Sequence, residues 1–494
     1  MAVVSASPSF GPRASWPSGL FIEGDWRPSA EGGKFPVECP STGERIGEVA
    51  DGSVEDALAA LDAATKAQPA WARVTPRERA ELLRKAFEGL IANSGEFASV
   101  IGMETGKPLG EAHGEVIYAA EYLRWFSEEA VRIHGRVQTA PEGRLRQVVS
   151  RKPIGPCVLV TPWNFPLAML TRKVGPAVAA GCTMLVKPSE LTPFTAACFA
   201  ELMARVGLPP GVLNVIPTTR AESVIDAILA DPRLRKLSFT GSTRIGRQLL
   251  RRTAENIQRC SLELGGNAPF LVFKDADMEA AVEGAVQAKL RNAGQACIAA
   301  NRFLVHEAVA EMFVDRLGRR FSEIGRTLPK GGKLGPLISA TARANVHAMV
   351  VDAVTRGSDL VVGGFIPEGA GHYYPPTLLS NVAPGSRVLN EEIFGPVAPV
   401  QCFSGDEEAL RLANATPYGL AAYAYTSNLD RALWLQEELD VGMLGVNSGM
   451  ISDPAAPFGG VKHSGLGREG GVEGIDEYLS IHYAAMGHTM RSGD

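Results

Sequence analysis

A single cysteine, Cys297, stands in the segment RNAGQACIAANR, between small neighbours and outside any helical or strand periodicity. The thiolate is the reactive form of cysteine, and at an ordinary pKa of about 8.5 only a few per cent is ionised at pH 7. Nucleophilic use therefore requires a nearby cation, a helix N-terminus or hydrogen bonds, and Arg291 is a candidate contributor. The alternative is a packing residue, because several other cysteines lie in apolar runs such as CVLV and GCTMLV, where a free thiol behaves as a small hydrophobe.

Two further segments offer groups that such a nucleophile would need. TPWNFP ends the apolar run CVLV with a Trp-Asn pair between prolines, and these rigid flanks would fix the amide of Asn164. An aimed amide N–H can stabilise an oxyanion, although an asparagine in a plain turn is the alternative. LELGG places Glu263 at the end of another apolar run, where a carboxylate is seldom buried without a partner or a task.

A third group of segments suggests a nucleotide site. FTGSTRIG carries Gly241 and Gly246 at a strand-to-helix turn, where the chain could approach phosphate oxygens near a helix N-terminus. This segment is not the GxGxxG fingerprint, and a plain turn explains it equally well. VKPSE supplies Lys187 and Glu190, which could hold adenosine-ribose hydroxyls, and Glu190 would repel a 2′-phosphate. An exposed loop is the alternative for that segment.

The elements around these segments indicate an α/β fold. Strand-like runs CVLV, TMLVKP, VLNVIP, KLSFTG and SLELGG alternate with helical stretches, which predicts a parallel sheet covered on both faces. A second alternation from APFLVF through NRFLVH, VAPVQCF, LAAYAY and GMLGVN predicts a second α/β domain. Upstream, capping-box spacing at Ser53 and Thr75 predicts two helices, and a third covers roughly 110–131. The turn APEG between two β-type runs predicts a hairpin.

Length and composition exclude several classes of protein. The chain has 494 residues, 45% hydrophobic residues and a formal net charge of −5, which favours several globular domains and no nucleic-acid partner. Its longest nearly uncharged apolar stretch, GPAVAAGCTMLV, is too short to span a bilayer, and the first twenty residues resemble neither a signal nor a transit peptide. Seven cysteines without a CxxC pair fit a reducing cytoplasm, and no metal site is expected.

In this order, TPWNFP, VKPSE, FTGSTRIG, LELGG, GQACIAANR, EEIFGPV and PFGGVKHSGLGRE resemble the aldehyde dehydrogenase superfamily. The resemblance implies an aldehyde dehydrogenase-like α/β fold with a Rossmann-type NAD-binding domain, an α/β catalytic domain and a small β oligomerisation arm, assembled as a homodimer or homotetramer. The boundaries that it predicts are 1–20 for a flexible tail, 21–131 and 153–262 for the NAD-binding domain, 132–152 and 471–494 for the arm, and 263–470 for the catalytic domain.

The resemblance also implies a role for each motif. The Cys297 thiolate would attack an aldehyde, Asn164 and the Cys297 backbone N–H would hold the oxyanion, and Glu263 would activate the water that hydrolyses the thioester. Glu469 in GLGRE resembles an acid of a proton relay, and a solvated surface charge is its alternative. The cofactor would be NAD, with NADP as the alternative, held by Thr161, Pro162, Trp163, Lys187, Ser189, Glu190, Gly241, Ser242, Gly246, Glu392 and Phe394.

Within the superfamily, segments such as NFPLAMLTRKVGPAVAAGCT and LRNAGQACIAANRFLV are most similar to succinate-semialdehyde dehydrogenases. Arg172, Arg291 and Ser452 match the positions that bind the substrate carboxylate there, a task suited to arginine. Ala299 stands where some members carry a second cysteine, so their redox switch is not expected. The alternatives are a dehydrogenase for glutarate semialdehyde or for a broad set of aldehydes, a cysteine hydrolase without cofactor, and a catalytically silent structural protein on this fold.

Overall fold

The computed structural model describes residues 16–328 and 332–487. The strands are β1 Leu20–Ile22, β2 Asp25–Arg27, β3 Lys34–Glu38, β4 Arg45–Ala50, β5 Arg136–Thr139, β6 Leu145–Pro153, β7 Cys157–Val160, β8 Met184–Lys187, β9 Leu213–Val215, β10 Lys236–Thr240, β11 Arg259–Glu263, β12 Ala268–Val272, β13 Ala300–His306, β14 Asp359–Val362, β15 Thr377–Ser380, β16 Val397–Phe403, β17 Ala421–Tyr425, β18 Met443–Val446, β19 Gly465–Leu466 and β20 Leu479–Gly487.

The helices alternate with these strands over most of the chain. They are α1 Val54–Trp71, α2 Pro76–Ala92, α3 Ser94–Thr105, α4 Leu109–Glu129, α5 Pro166–Ala180, α6 Pro193–Arg205, α7 Ala221–Ala230, α8 Thr243–Thr253, α9 Met278–Leu290, α10 Glu307–Gly325, α11 Ala340–Thr355, α12 Arg387–Asn390, α13 Asp406–Asn414, α14 Leu429–Glu438 and α15 Glu473–Asp476. None of these described helices combines the length and apolarity that crossing a membrane requires.

The first sheet has eight strands in the order β19-β11-β10-β7-β8-β9-β1-β2. Its five inner strands, β7 to β11, pair in parallel, whereas β1, β2 and β19 add antiparallel edges. Continuous apolar runs such as CVLV and MLVK are buried along their length, because helices cover both faces of the sheet. This confirms the parallel sheet expected from the alternation of strand-like and helical segments.

The second sheet has seven strands in the order β14-β15-β16-β13-β12-β17-β18. All neighbours pair in parallel except β14 with β15. The second predicted α/β alternation is therefore confirmed as a separate, largely parallel sheet. Because the carboxyl ends of parallel strands share one edge, both sheets place the loops that follow their strands where a site can form.

The predicted helix starts are confirmed at α1 and α2. The Ser53 hydroxyl accepts from the backbone N–H of Asp56 at 3.1 Å, and the Asp56 carboxylate accepts from the backbone N–H of Ser53 at 2.9 Å. Thr75 and Glu78 make the same reciprocal pair at the start of α2. Each pair satisfies N–H groups that a helix start leaves without a partner, so the local sequence suffices to place these two boundaries.

A third sheet has three strands in the order β20-β6-β5, and β3 and β4 form a fourth, two-stranded sheet. The predicted hairpin is confirmed as β5 and β6, joined through the turn at 140–143, and β20 pairs antiparallel along the whole of β6. Most of its side chains are exposed, including Ile481 and Tyr483. Residues 488–494 of the predicted arm lie outside the described residues.

Two observations concern the edges of the predicted domains. Residues 1–15 of the predicted tail lie outside the described residues, but the Trp16 ring packs on Phe194 with centroids 5.2 Å apart, and Leu20 is buried in β1. The short strand β19 pairs with β11, so the chain returns to the first sheet within the segment predicted as catalytic domain. The segment that follows β19 therefore lies next to the site described below.

Candidate active site

Cys297 lies in the loop that joins α9 to β13. Before it, Asn292 and Ala293 adopt left-handed backbone conformations, with φ of 51° and 54°. The Gln295 side chain holds this turn, because its Oε1 accepts from the Ile338 N–H at 2.8 Å and its Nε2 donates to the Asn292 carbonyl at 3.1 Å. Non-glycine residues adopt such a backbone at an energetic cost, and the cost is often found at functional sites. The loop thereby presents Cys297 in a fixed geometry.

The Cys297 side chain faces a cavity of about 280 Å³. Burial raises the pKa of the thiol to about 12; the cation of Arg172 opposes this rise, and the carboxylates of Glu392 and Glu263 add to it. Arg172, and not the expected Arg291, is the cation that lowers the pKa of this thiol. The Arg291 guanidinium instead lies over the Phe165 ring, 4.8 Å from its centroid. Near neutral pH the thiol is therefore protonated until a base accepts its proton.

Asn164 lies beside the nucleophile loop, where the segment after β7 turns into α5. Its side-chain Nδ2 donates to the Gln295 carbonyl at 3.0 Å, and its Oδ1 accepts from the Phe165 N–H at 3.1 Å. Because one of the two Nδ2 hydrogens is used in this way, the second is available to the cavity, which Asn164 lines together with Cys297. The amide is thus held in place beside the nucleophile loop with one donor hydrogen left over, the kind of group that can stabilise an oxyanion.

Glu263 ends β11 and faces the same cavity as Cys297. Its residue is 1% exposed, and neither carboxylate oxygen has a hydrogen-bond partner among the described residues. Burial and the neighbouring Glu469 raise the pKa of Glu263 well above its usual range, while Arg172 and Lys173 oppose the rise. A carboxylate of raised pKa is a stronger base, and its unpaired oxygens leave it free to bind a water or a thiol proton.

Six of the predicted cofactor residues line this cavity. They are Pro162, Trp163, Gly241, Ser242, Glu392 and Phe394. The Phe394 and Trp163 rings meet edge to face with centroids 5.4 Å apart, and Ser242 is the N-cap of α8. Burial raises the pKa of Glu392 to about 7, and the Gly266 N–H donates to its Oε1 at 3.1 Å. Aromatic faces, a hydroxyl-binding carboxylate and a helix N-terminus next to the thiol fit the nicotinamide half of a dinucleotide.

The other predicted cofactor residues lie near the end of β8. Lys187 pairs with Glu190 at 3.1 Å, and the Thr161 N–H donates to the Lys187 carbonyl at 3.1 Å, which links this group to the segment after β7. The Ser189 hydroxyl accepts from the Leu191 N–H at 3.2 Å. None of the four predicted residues here is among those lining the described cavity around Cys297. They form a polar group at the carboxyl edge of the first sheet, a usual place for an adenosine ribose.

Gly246 differs from the expectation that it approaches a phosphate. It lies in the first turn of α8 and is buried, and a Cβ at this position would lie 2.4 Å from the Leu264 side chain. The glycine therefore allows the helix to pack closely against the segment after β11. Gly241 and Ser242 are the residues of this motif that line the cavity.

The predicted carboxylate-binding residues line the cavity as well. The Arg291 guanidinium lies over the Phe165 and Tyr118 rings, and no carboxylate of the described chain forms an ion pair with it. The Ser452 hydroxyl is hydrogen-bonded to the hydroxyl of Tyr118. A second cavity, of about 490 Å³, shares Tyr118, Phe165, Arg291 and Ser452 with the first. Arg291 therefore lines both cavities, and among the described residues its contacts there are aromatic rings and not an ion-paired carboxylate.

Arg172 is already paired, in contrast to Arg291. Its Nε lies 2.6 Å from the Glu469 carboxylate, and its guanidinium lies over the Phe458 ring at 4.1 Å. Glu469 also pairs with Lys173 at 2.5 Å and is 5% exposed, so the alternative of a solvated surface charge is wrong. The Nη1 of Arg172 is buried without a hydrogen-bond partner among the described residues, and it is the part of the side chain that can accept a further ligand.

Several residues of the cavity were missed from the sequence. They include Tyr118, Phe165, Met169, Thr240, Ile298 and Phe458. Tyr118 and Tyr122, four residues apart in the predicted third helix, carry a signal that could have been used, because this spacing puts both on one face. The described residues contain no group of three or more histidine, cysteine or acidic side chains that could hold a metal ion.

Comparisons with known proteins agree with this geometry. Residues 26–483 match the model of the aldehyde dehydrogenase family. A succinate-semialdehyde dehydrogenase of Paenarthrobacter nicotinovorans is 53% identical over 89% of this chain and 98% of its own. A glutarate-semialdehyde dehydrogenase of Pseudomonas aeruginosa is 46% identical over 94% and 97% of the two chains. The crystal structure of an Escherichia coli NADP-dependent enzyme is 44% identical, covers 96% of this chain and 98% of its own, and superposes with a TM-score of 0.94.

The match spans nearly the whole chain, and of the motifs that carried the resemblance all but VKPSE contribute residues to the wall of one cavity. The chain belongs to the aldehyde dehydrogenase family.

Proposed function

We propose that the chain oxidises succinate semialdehyde to succinate with NAD⁺. The observation that carries the proposal is one cavity whose wall holds Cys297 and Glu263 together with the Arg291 cation, which forms no ion pair among the described residues. A short aldehyde with a distal carboxylate presents complementary groups to both ends of such a cavity. The 53% identical relative is named a succinate-semialdehyde dehydrogenase, which supports the same substrate.

The chemistry follows from the groups around the thiol. The Cys297 thiol loses its proton to Glu263 or to solvent, and the thiolate sulfur adds to the aldehyde carbon. The carbonyl oxygen then becomes an oxyanion, and the free Nδ2 hydrogen of Asn164 donates to it. Losing one such donor typically reduces transition-state stabilisation by about 3 to 4 kcal/mol. The cavity wall keeps these groups largely out of water, which strengthens each interaction.

A bound nicotinamide supplies the hydride acceptor that makes the oxidation from adduct to thioester possible. Glu392, Phe394 and Trp163 would hold its ribose and ring, and Lys187 with Glu190 would hold the adenosine ribose. We propose NAD⁺ as the preferred form, because the Glu190 carboxylate repels a 2′-phosphate. The related Escherichia coli structure is described as NADP-dependent, so the ratio between the two cofactors has to be measured on this chain.

Hydrolysis of the thioester requires a base and a route for its proton. Glu263 would accept a proton from the attacking water, whose oxygen bonds to the acyl carbon while the carbon–sulfur bond breaks and returns the thiolate. Glu469 is the proposed second acid, buried and bonded to Lys173. Its charge acts on Glu263 strongly enough to raise the pKa of that carboxyl.

Glutarate semialdehyde is the second candidate substrate. A second cavity of about 490 Å³ shares Arg291 and three other lining residues with the cavity around Cys297, and it offers additional volume for a longer chain. A relative 46% identical is named a glutarate-semialdehyde dehydrogenase. One additional methylene changes the free energy that distinguishes two substrates by only about 1 to 3 kcal/mol, so the same cavity could accept both semialdehydes.

The test is a kinetic panel followed through the absorbance of the reduced nicotinamide. It compares succinate semialdehyde, glutarate semialdehyde and butanal, each with NAD⁺ and NADP⁺. The proposal expects the highest kcat/KM for succinate semialdehyde with NAD⁺ and a much lower value for butanal. Equal values for butanal and the semialdehydes would contradict a carboxylate-binding cavity, and no reduced nicotinamide with any aldehyde would contradict the activity itself.

The oligomeric state and the cellular compartment are also proposed. We propose a homodimer or homotetramer built through the sheet β20-β6-β5, because Ile481, Tyr483 and Met486 are exposed apolar side chains on it. The seven cysteines are free, which fits the reducing cytoplasm that we propose. We likewise propose the domain boundaries at residues 131, 153, 263 and 471. Among the described strands, β19 is the one from the proposed catalytic domain that pairs with the first sheet.

A further inference from the structure

Two buried side chains donate to the backbone carbonyl of Asn164. The Lys107 Nζ and the Asn292 Nδ2 each lie 2.9 Å from this oxygen. Lys107 is 5% exposed and Asn292 is 4% exposed. A carbonyl oxygen has two lone pairs, so these two bonds use its full capacity. The backbone of the proposed oxyanion donor is therefore held by two groups that take no part in the chemistry described above.

Lys107 is itself held by a buried carboxylate. Its Nζ donates to the Glu115 Oε2 at 2.6 Å, and the two side chains are 2% and 1% exposed. The Glu115 Oε1 accepts from the backbone N–H groups of Leu167 at 2.9 Å and Ala168 at 3.3 Å, in the first turn of α5. Because both charges and the remaining lone pairs have partners, the ion pair is satisfied within the protein. The ammonium is therefore a fixed charge, positioned by α4 and α5.

Asn292 connects the same carbonyl to the loop that carries the nucleophile. Its Nδ2 also donates to the Gln295 carbonyl at 3.2 Å, the oxygen to which the Asn164 Nδ2 donates at 3.0 Å. Asn164, Asn292 and Gln295 thus form a closed ring of three hydrogen bonds. Both the backbone and the side chain of Asn164 are therefore fixed to the segment just before Cys297.

The charge of Lys107 acts on the Asn164 amide through a continuous series of bonds. A cation at the Asn164 carbonyl oxygen draws electrons from the peptide group between Asn164 and Phe165, which makes the Phe165 N–H a stronger donor. That N–H donates to the Asn164 Oδ1 at 3.1 Å. Since hydrogen bonds in a series polarise one another, the side-chain amide loses electron density in turn, and its Nδ2 hydrogens become stronger donors.

We propose that Lys107 and Asn292 are positioning residues that strengthen the hydrogen bond from the Asn164 amide to the oxyanion. The inference rests on the proposed function and deepens it, because it adds a buried cation to the groups that stabilise the adduct on Cys297. Lys107 supplies the charge, and both residues fix the carbonyl. A fixed charge of this kind is effective because it needs no rearrangement when the oxyanion forms.

This role predicts a particular kinetic signature. The oxyanion exists only after the thiolate has added to the aldehyde, so a stronger donor stabilises the transition state without changing the affinity for free aldehyde. The same oxyanion forms from every aldehyde. Loss of Lys107 should therefore lower the limiting rate constant of nicotinamide reduction by the same factor for different aldehydes, and leave the half-saturating aldehyde concentration unchanged.

The experiment is a double-mutant cycle on Lys107 and Asn164. Single turnovers of succinate semialdehyde or butanal with NAD⁺ are followed through the absorbance of the reduced nicotinamide in the unaltered chain, Lys107→Met, Asn164→Ala and the double variant. Alanine keeps the carbonyl that Lys107 binds and removes the amide, so the cycle isolates the effect that passes through the amide. Lys236→Met, alone and with Asn164→Ala, is the matched control, because Lys236 is another fully buried lysine, whose partners are Ser261 and Glu477.

The proposal expects Lys107→Met to lower the limiting rate constant about three- to tenfold with either aldehyde, the net effect of one hydrogen bond. In the slower Asn164→Ala background, the same change should alter it by less than about twofold. Any effect of Lys236→Met should be equal in the two backgrounds.

Three results would overturn the proposal. An effect of Lys107→Met that is equal in both backgrounds would mean that Lys107 supports the fold in general. A fall for succinate semialdehyde alone would mean that Lys107 contacts the substrate carboxylate. A rate constant that Lys107→Met leaves unchanged would mean that its charge does not reach the amide.

A second variant decides if Lys107→Met does not fold. Asn292→Gly then takes its place in the cycle, because it removes the other donor to the Asn164 carbonyl without leaving a buried charge unpaired. Glycine also accepts the left-handed backbone at this position, with φ of 51°. The same dependence on the Asn164 amide is expected, and an effect independent of Asn164 would refute the inference.

Failure of the proposed function gives a different result. An unaltered chain that reduces no nicotinamide with either aldehyde would contradict the oxidation itself. A chain that oxidises both aldehydes, with Asn164→Ala about 100- to 1000-fold slower, keeps the oxidation and the oxyanion donor, and the cycle then tests Lys107 alone. An Asn164→Ala variant as fast as the unaltered chain would keep the oxidation and refute every role that acts through this amide.

Discussion

Arg172 and Glu469 form an ion pair at 2.6 Å in which both side chains are buried, 1% and 6% exposed. Lys173 joins the same carboxylate at 2.5 Å, and Glu263 lies close enough for all three charges to shift its pKa. Two cations and two carboxylates thus share one buried region beside the thiol. Removing one member leaves the others without compensation, which costs far more than losing a surface pair.

The first prediction follows for Glu469→Gln, which keeps the shape and removes the charge. Two buried cations then lose their shared carboxylate, and we expect the free energy of unfolding to fall by about 3 to 5 kcal/mol at neutral pH, measured by urea denaturation. Glu473→Gln, an exposed neighbour, is the control and should change stability by less than about 0.5 kcal/mol.

The loss of unfolding free energy in Glu469→Gln should become smaller as the pH falls. Since the pKa of Glu469 is lowered in the folded chain, the stabilisation is present above the ordinary carboxyl pKa of 4.5 and disappears as pH falls through the folded value. The difference between the unaltered chain and Glu469→Gln should therefore shrink in acid. A difference that stays constant down to the acid transition would contradict the ion pair as its cause.

The second prediction concerns Glu263→Gln. An amide cannot accept the proton of the attacking water, so we expect Cys297 to be acylated, with solvent accepting the thiol proton, and the thioester then to persist. Intact-protein mass after mixing with aldehyde and NAD⁺ should show one added acyl group that persists. Cys297→Ala should show no added group under the same conditions. Full turnover by Glu263→Gln would overturn the proposed role in deacylation.

The third prediction uses the raised pKa of Cys297. With a pKa of about 12, the thiolate fraction keeps increasing with pH, so alkylation of Cys297 by iodoacetamide should still be rising at about pH 10. At an ordinary thiol pKa the rate would level off by then. Digestion and mass analysis of the peptide with Cys297 separates it from exposed Cys402. A plateau near neutral pH would show that the thiol is activated in the free chain.

The fourth prediction tests the choice of cofactor. Glu190→Ser removes the carboxylate that would repel a 2′-phosphate and frees Lys187, now paired with it at 3.1 Å. We expect the ratio of kcat/KM for NAD⁺ over NADP⁺ to fall about tenfold or more, equivalent to about 1.4 kcal/mol. Glu255→Ser removes an exposed carboxylate from the turn between α8 and β11 and should leave the ratio unchanged.

Local sequence predicted much of the fold because some boundaries are decided locally. The capping boxes at Ser53 and Thr75 form within four residues, and the alternation of apolar runs with helical segments requires a covered parallel sheet. Strand pairings that depend on contacts between distant residues could not be predicted from the local sequence. No periodicity in PFGGVKHSGLGRE indicates that β19 joins β11, because a two-residue strand is defined only by its partner.

The active site likewise has features that the sequence predicted and features that depend on contacts between distant residues. Motif order brought Cys297, Glu263 and Asn164 to one cavity in the prediction, and their roles stay predictions until the variants are measured. The side-chain partners could not be read from the chain: Arg172 belongs equally well to a substrate or to a carboxylate until folding brings Glu469 beside it. The raised pKa of Cys297 was missed for the same reason, since burial depends on every element around the loop.

The fifth prediction separates Arg291 from Arg172. Because Arg291 has only aromatic rings beneath it, its replacement by methionine in Arg291→Met should leave the fold intact and remove a charge-assisted contact to the substrate carboxylate. Such contacts contribute about 1.5 to 3 kcal/mol, so KM for succinate semialdehyde should rise about 10- to 150-fold. For butanal, kcat/KM should change by less than about twofold.

Arg320→Met is the control, since Arg320 lines the outer cavity but is paired with Glu283 at 2.5 Å and Glu323 at 2.7 Å. Its charge is already satisfied within the protein, so its removal should affect both aldehydes alike. Loss of activity toward both aldehydes in Arg291→Met would instead mean that Arg291 supports the nucleophile loop, because Asn292 and Ala293 follow it directly. Comparing the two variants therefore assigns the Arg291 cation either to substrate recognition or to the geometry of Cys297.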